Sequence, residues 1–106
     1  MLVEDHAEKR AKPRRRVAKA AKMTWGDFIF VRDCALRDVS PTGARVTVKA
    51  AHEVPDEFHL IFSSDRTMRR ALVVWRRGEE IGVEFEGEVR QLMQDPDPRL
   101  RQFRYM

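Results

Sequence analysis

The stretch Asp38-Val39-Ser40-Pro41-Thr42-Gly43-Ala44-Arg45-Val46-Thr47-Val48-Lys49 decides the fold. In its second half Ala44, Val46 and Val48 alternate with Arg45, Thr47 and Lys49, the period of a half-buried strand. Its first half closes a run rich in aromatic and β-branched residues, Phe28 to Val39, which reads as another strand, bent near Arg32-Asp33. Pro41-Thr42-Gly43 turns the chain between the two. Two strands meeting at a tight turn set the pattern for what flanks them.

Downstream, Ala50 to Pro55 reads as a connection, and Phe58, Leu60 and Phe62 alternate with His59 and Ser63. Ser64-Asp65-Arg66 turns the chain into a long strand, Met68 to Arg77, centred on Ala71-Leu72-Val73-Val74-Trp75. Gly78-Glu79-Glu80 turns it again, and Ile81, Val83 and Phe85 form the last strand, with Gly82 and Glu84 facing away. Beyond it Val89, Leu92 and Met93 have helical spacing, so Glu88 to Gln94 reads as a short helix broken by Asp95-Pro96-Asp97-Pro98. Arg99 to Met106 reads as one further turn, with Leu100 and Phe103 on one side.

Upstream, Gly26-Asp27 marks a turn. Before it Val17, Ala21, Met23 and Trp25 share one parity, with Lys19 as the exception. This fits a first strand, although Ala18 to Lys22 also has helical propensity. Six short strands with tight turns and little helix define an all-β domain, an antiparallel barrel or sandwich. Closure into a barrel would remove the exposed edges of so short a chain. Trp25 and Trp75 fit core or barrel-end packing better than stacking platforms.

The 106 residues suit one small domain, and the net charge of +4 favours anionic partners. Cys34 is the single cysteine, so no disulfide forms within the chain and a reducing, cytoplasmic setting is expected. No apolar run reaches membrane-spanning length, and Met1 to Arg16 has no apolar segment of the kind a secretory signal needs. His6, His52 and His59 are far apart and Cys34 has no neighbour at metal-ligand spacing, so neither a metal site nor a Cys-His nucleophile is expected. There is no Walker-type phosphate loop and no dinucleotide fingerprint. The acidic residues Asp56, Glu57, Glu79, Glu80, Glu84 and Glu86 suit turns and solvated strand faces. Neither an enzyme nor a cofactor is expected.

Two elements carry binding chemistry. In the first, Asp38 can accept from the N1 and N2 donors of a guanine edge, and Ser40 offers a hydroxyl to phosphate or base. Gly43 permits positive φ and close approach to the backbone. The same residues are ordinary in turns. The second is the N-terminal arm, which is acidic at Glu4, Asp5 and Glu8, then basic from Lys9 to Arg16. A short helix through Glu4 to Lys9 would end at Pro13. Arg10 and Arg14 stand four residues apart. An arginine fork grips phosphate or the O6/N7 edge of guanine, or stacks on a base. Arg66 and Arg70 have the same spacing inside a turn and strand, so the spacing alone is not specific.

The order of these elements resembles the PilZ domain, the bacterial receptor module for cyclic di-GMP. Lys9-Arg10-Ala11-Lys12-Pro13-Arg14 is similar to the family's Arg-x-x-x-Arg arm, and Asp38 to Gly43 to its Asp/Asn-x-Ser-x-x-Gly motif. Ala71 to Arg76 and Ile81 to Phe85 resemble its closing strands. The resemblance covers Lys9 to roughly Glu86. It implies a small six-stranded antiparallel barrel with a flexible basic arm and a short C-terminal helix. The corresponding divisions are an arm over 1–14, a barrel over 15–87 and a helix or tail over 88–106.

The resemblance further implies that Arg10 and Arg14 hold guanine and phosphate, that Asp38 and Ser40 read a guanine edge and a phosphate oxygen, and that Gly43 leaves room. Arg15 or Arg16 would add charge that the motif does not require. Binding would act through the arm or through a protein partner, without catalysis. Two alternatives stand beside it. One is a PilZ-like module that binds protein and no nucleotide. The other is a basic barrel for RNA or single-stranded DNA, against which counts the core parity of Phe58, Phe62 and Phe85.

Overall fold

The computed structural model describes residues 15–105. Arg10, Arg14 and the helix expected through Glu4 to Lys9 lie outside the described residues. The six strands are β1 (Arg15–Trp25), β2 (Phe30–Ser40), β3 (Gly43–Thr47), β4 (Glu57–Phe62), β5 (Thr67–Arg77) and β6 (Glu80–Gln91). They close into a barrel in the order β1-β2-β3-β6-β5-β4, and every neighbouring pair is antiparallel. The barrel, and not the sandwich, is therefore the fold. Closure pairs each described strand on both sides, which removes the free edges.

Alternation fills the inside. Met23, Leu36, Val46, Phe58, Leu60, Ala71 and Ile81 meet in one buried cluster, as their parity in each strand requires. Phe62 and Phe85 pack against it at the rim, with their rings edge to face and centroids 5.8 Å apart. Each fully buried large apolar side chain of this kind contributes about 1.5–3 kcal/mol relative to exposure.

A second apolar cluster lies outside the barrel. Phe28, Ile61, Met68, Leu92, Leu100 and Phe103 bury one another where the C-terminal segment folds back across the wall. This is why Ile61 is buried beside Leu60, against strict alternation. A 3-10 helix, Pro98–Phe103, brings Leu100 and Phe103 to that wall, on one side as their spacing suggested. It starts at Asp97, whose side chain accepts from the Arg99 backbone N–H at 2.9 Å.

Three sequence expectations need correction. The helix over Glu88 to Gln94 does not form: β6 runs on to Gln91, and the division expected at 87/88 falls inside it. Only Leu92 of the helical triplet is buried, while Val89 and Met93 are exposed. Phe28 belongs to the β1–β2 turn rather than to β2. Its φ of 69° is unfavourable for a bulky residue. Its ring is held by Phe103 and His59, with centroids 6.3 and 5.2 Å away. Finally, the irregularity of β2 lies between Leu36 and Asp38 rather than at Arg32-Asp33.

Candidate functional site

Two β-bulges build one face of the barrel. In β2 the register slips by one residue, so that Leu36 opposes Val46 but Asp38 opposes Arg45. Leu36 and Val46 point inward, so the extra residue, Arg37, keeps Asp38 on the outer face with Ser40 beyond it. In β5 the register slips again between Val73 and Trp75, which sets Trp75 opposite Gly82. Because Arg45 also pairs with Gly82, the outer face carries a continuous cross-strand row: Asp38, Arg45, Gly82 and Trp75. The next row runs through Ser40, Gly43 and Glu84.

The rows are close-packed. Arg45 donates from Nε to Asp38 Oδ2 at 2.6 Å and from Nη1 to Glu80 Oε2 at 2.6 Å. The hydrogen bond to Asp38, then the charges of Asp38 and Glu80, push the guanidinium pKa further up, so Arg45 stays a cation. Among the described residues Asp38 is the one charged residue that is buried, with 7% of its surface exposed. A cation must sit beside it, because an unpaired carboxylate is costly to bury. At Gly82 an added Cβ would lie 2.0 Å from Trp75 Nε1, so the indole lies directly on the glycine backbone.

The turn carries the rest. The Thr42 N–H donates to Ser40 Oγ at 3.3 Å, and Ser40 Oγ lies 3.4 Å from the Gly43 carbonyl. An added Cβ at Gly43 would meet the Val83 carbonyl at 2.4 Å. Glycine is required there by the closeness of β6; Gly43 is not among the positive-φ glycines. Phe85 N–H donates to Thr42 O at 2.9 Å and ties the turn to β6.

The structure thus brings Asp38, Ser40 and Gly43 together on one outer face, and leaves Arg10 and Arg14 outside the described residues. β1 begins alongside them: Arg15 pairs with Val39 and Arg16 with Asp38. Sequence reasoning missed Arg45 and Trp75 as members of the face. Arg45 stands on the polar parity of β3, and its spacing alone names no partner. Trp75 reaches the face only through a bulge.

A separate cleft of about 520 Å3 lies between the Gly26–Phe28 turn and β4, with His59, Arg90 and Arg99 in its lining. The barrel order sets the β1–β4 seam across from the β3–β6 seam. Arg90 is paired with Asp95 and Arg99 with Asp97, so these cations are already neutralised by the protein. Among the described residues no group of His, Cys, Asp and Glu is arranged to hold a metal ion, and no helix is long and apolar enough to cross a membrane.

These observations can be set beside known proteins. The PilZ domain model matches residues 8–95. The closed six-stranded antiparallel barrel is consistent with that fold, and the chain belongs to the PilZ family. The family is known for binding cyclic di-GMP, and its domains are binding or receptor modules rather than typical catalysts. No curated protein matches the chain.

Proposed function

We propose that this domain is a cyclic di-GMP receptor whose ligand lies on the outer face made by Asp38, Ser40 and Gly43, closed over by Arg10 and Arg14. The observation that carries the proposal is the register of β1. It opens with Arg15 against Val39, between Asp38 and Ser40 on the neighbouring strand. Arg14 is one residue further out and Arg10 five, which is roughly 18 Å at full extension. Both arginines are therefore within reach of a ligand seated on that face.

The chemistry divides between two halves. The Ser40 hydroxyl, whose oxygen accepts from the Thr42 N–H, supplies a neutral donor to a phosphate oxygen, and the arm supplies charge. Asp38 reads a guanine edge through donors that only a purine of this type presents. Arg45 holds the carboxylate in place and presents a flat cation beside it, and Trp75 adds an aromatic surface at the end of the row. Nothing in this set transfers a group or breaks a bond, so the ligand acts by ordering the arm across the barrel. That creates a surface for a protein partner.

Calorimetric titration with cyclic di-GMP tests the reading. Wild type should bind, and Arg10→Ala and Arg14→Ala should each bind about tenfold or more weakly, since one bidentate arginine contact to guanine is worth about 1–3 kcal/mol. Wild-type affinity in both variants would remove these arginines from the site.

A further inference from the structure

The turn that carries Ser40 and Gly43 is held from below by Arg69. This residue opposes Leu60, a core position, and so stands on the inward parity of β5 near the rim of the barrel. Beside it the β5–β6 register shifts between Met68, paired with Arg90, and Arg70, paired with Glu86. Arg69 Nη1 donates to the Pro41 carbonyl at 3.0 Å, and Nη2 donates to the Gly87 carbonyl at 3.0 Å. Cζ sits 4.6 Å from the centroid of the Phe85 ring. The planar fork therefore joins the β2–β3 turn to β6 in one fixed geometry.

We infer that Arg69 is a positioning residue for the ligand: it fixes the Pro41-Thr42 turn so that the Thr42 N–H holds Ser40 Oγ in place for one phosphate. The inference rests on the cyclic di-GMP reading above. Two successive carbonyls are anchored, Pro41 by Arg69 and Thr42 by the Phe85 N–H. With both fixed, the Thr42 N–H has one direction, toward Ser40 Oγ. Without Arg69 the turn must be ordered during binding, and ordering even one or two residues weakens affinity by about tenfold or more. Arg69 acts through the turn and need not touch the ligand.

The test compares wild type, Arg69→Lys and Arg69→Gln. Lysine keeps the charge and loses the two-pronged geometry; glutamine loses both. Cyclic di-GMP affinity is measured by calorimetry, thermal midpoints report the fold, and heteronuclear NOEs at the Thr42 and Gly43 amides report order in the turn. The expected result is a folded Arg69→Lys barrel with lower NOEs at these two amides and about tenfold weaker binding, and Arg69→Gln no better. Folded variants that bind as wild type does would overturn the inference while leaving the receptor reading intact. So would loss of affinity with unchanged NOEs, or failure of both variants to fold. A flat wild-type titration is a different outcome: it removes the receptor reading itself, and the inference with it.

Discussion

Gly43 and Gly82 look alike in sequence and differ in what an added methyl would strike. At Gly43 the obstacle is the Val83 backbone carbonyl, 2.4 Å from the ideal Cβ, which cannot move without disturbing the β3–β6 ladder. Gly43→Ala should therefore destabilise the barrel by about 1–3 kcal/mol, as overpacking does, measured by urea denaturation. At Gly82 the obstacle is the Trp75 side chain, which can swing away. In a Trp25→Phe background, Gly82→Ala should move the Trp75 fluorescence maximum to the red, and an unchanged spectrum would refute the packing described. Cys34 gives a third check at this scale. Burial, then the charge of Asp33, push its thiol pKa up to about 12. It should resist iodoacetamide at pH 8 in the native protein and react on unfolding. Asp38, Ser40 and Gly43 were legible because their spacing is a local property of the chain. Arg45, Arg69 and Trp75 were not, since each owes its place to a partner strand. The one visible clue was Arg69, a charge sharing parity with Ala71 and Val73.

At the scale of elements, all six strands could be read from alternation or from apolar and β-branched runs, while the bulges that aim Asp38 and Trp75 could not. A bulge is a slip between two strands, and neither strand alone records it. The C-terminal segment shows the converse error. Val89, Leu92 and Met93 have helical spacing by coincidence, because Val89 and Met93 face solvent and Leu92 alone joins the outer cluster. That cluster is the point of attack for a test. Leu100 and Phe103 are fully buried on Ile61 and Met68. Leu100→Ala should cost about 2–5 kcal/mol and Phe103→Ala about 3–5 kcal/mol, read from denaturation midpoints. The start of the same helix is sensitive to acid. Hydrogen bonds from the Arg99 side chain, then from its backbone, hold Asp97 at about 2, below its ordinary 3.8. A depressed carboxyl pKa contributes stability above the unfolded value and loses it as pH falls through the folded one. The contribution is thus complete above 3.8 and disappears toward 2. Asp97→Asn keeps the cap and removes the charge, so its thermal midpoint should fall less steeply than that of wild type across this interval.

For the whole molecule, the receptor reading proposed above makes the barrel the seat and the basic N-terminal segment the charged half of the site. In the seat the single cation Arg45 is shared by two carboxylates, Asp38 and Glu80, so the attraction for a doubly anionic ligand must come from the arm. Affinity should accordingly fall as salt rises, and more steeply for wild type than for Arg14→Ala. The most direct measurement is a calorimetric titration of the intact chain with cyclic di-GMP, run beside Arg14→Ala and Asp38→Ala. Saturable binding by wild type, weakened about tenfold or more in both variants, is the predicted result. Saturable binding that neither substitution alters would place the ligand elsewhere on the barrel, and no heat of binding in the folded wild type would contradict the receptor account outright.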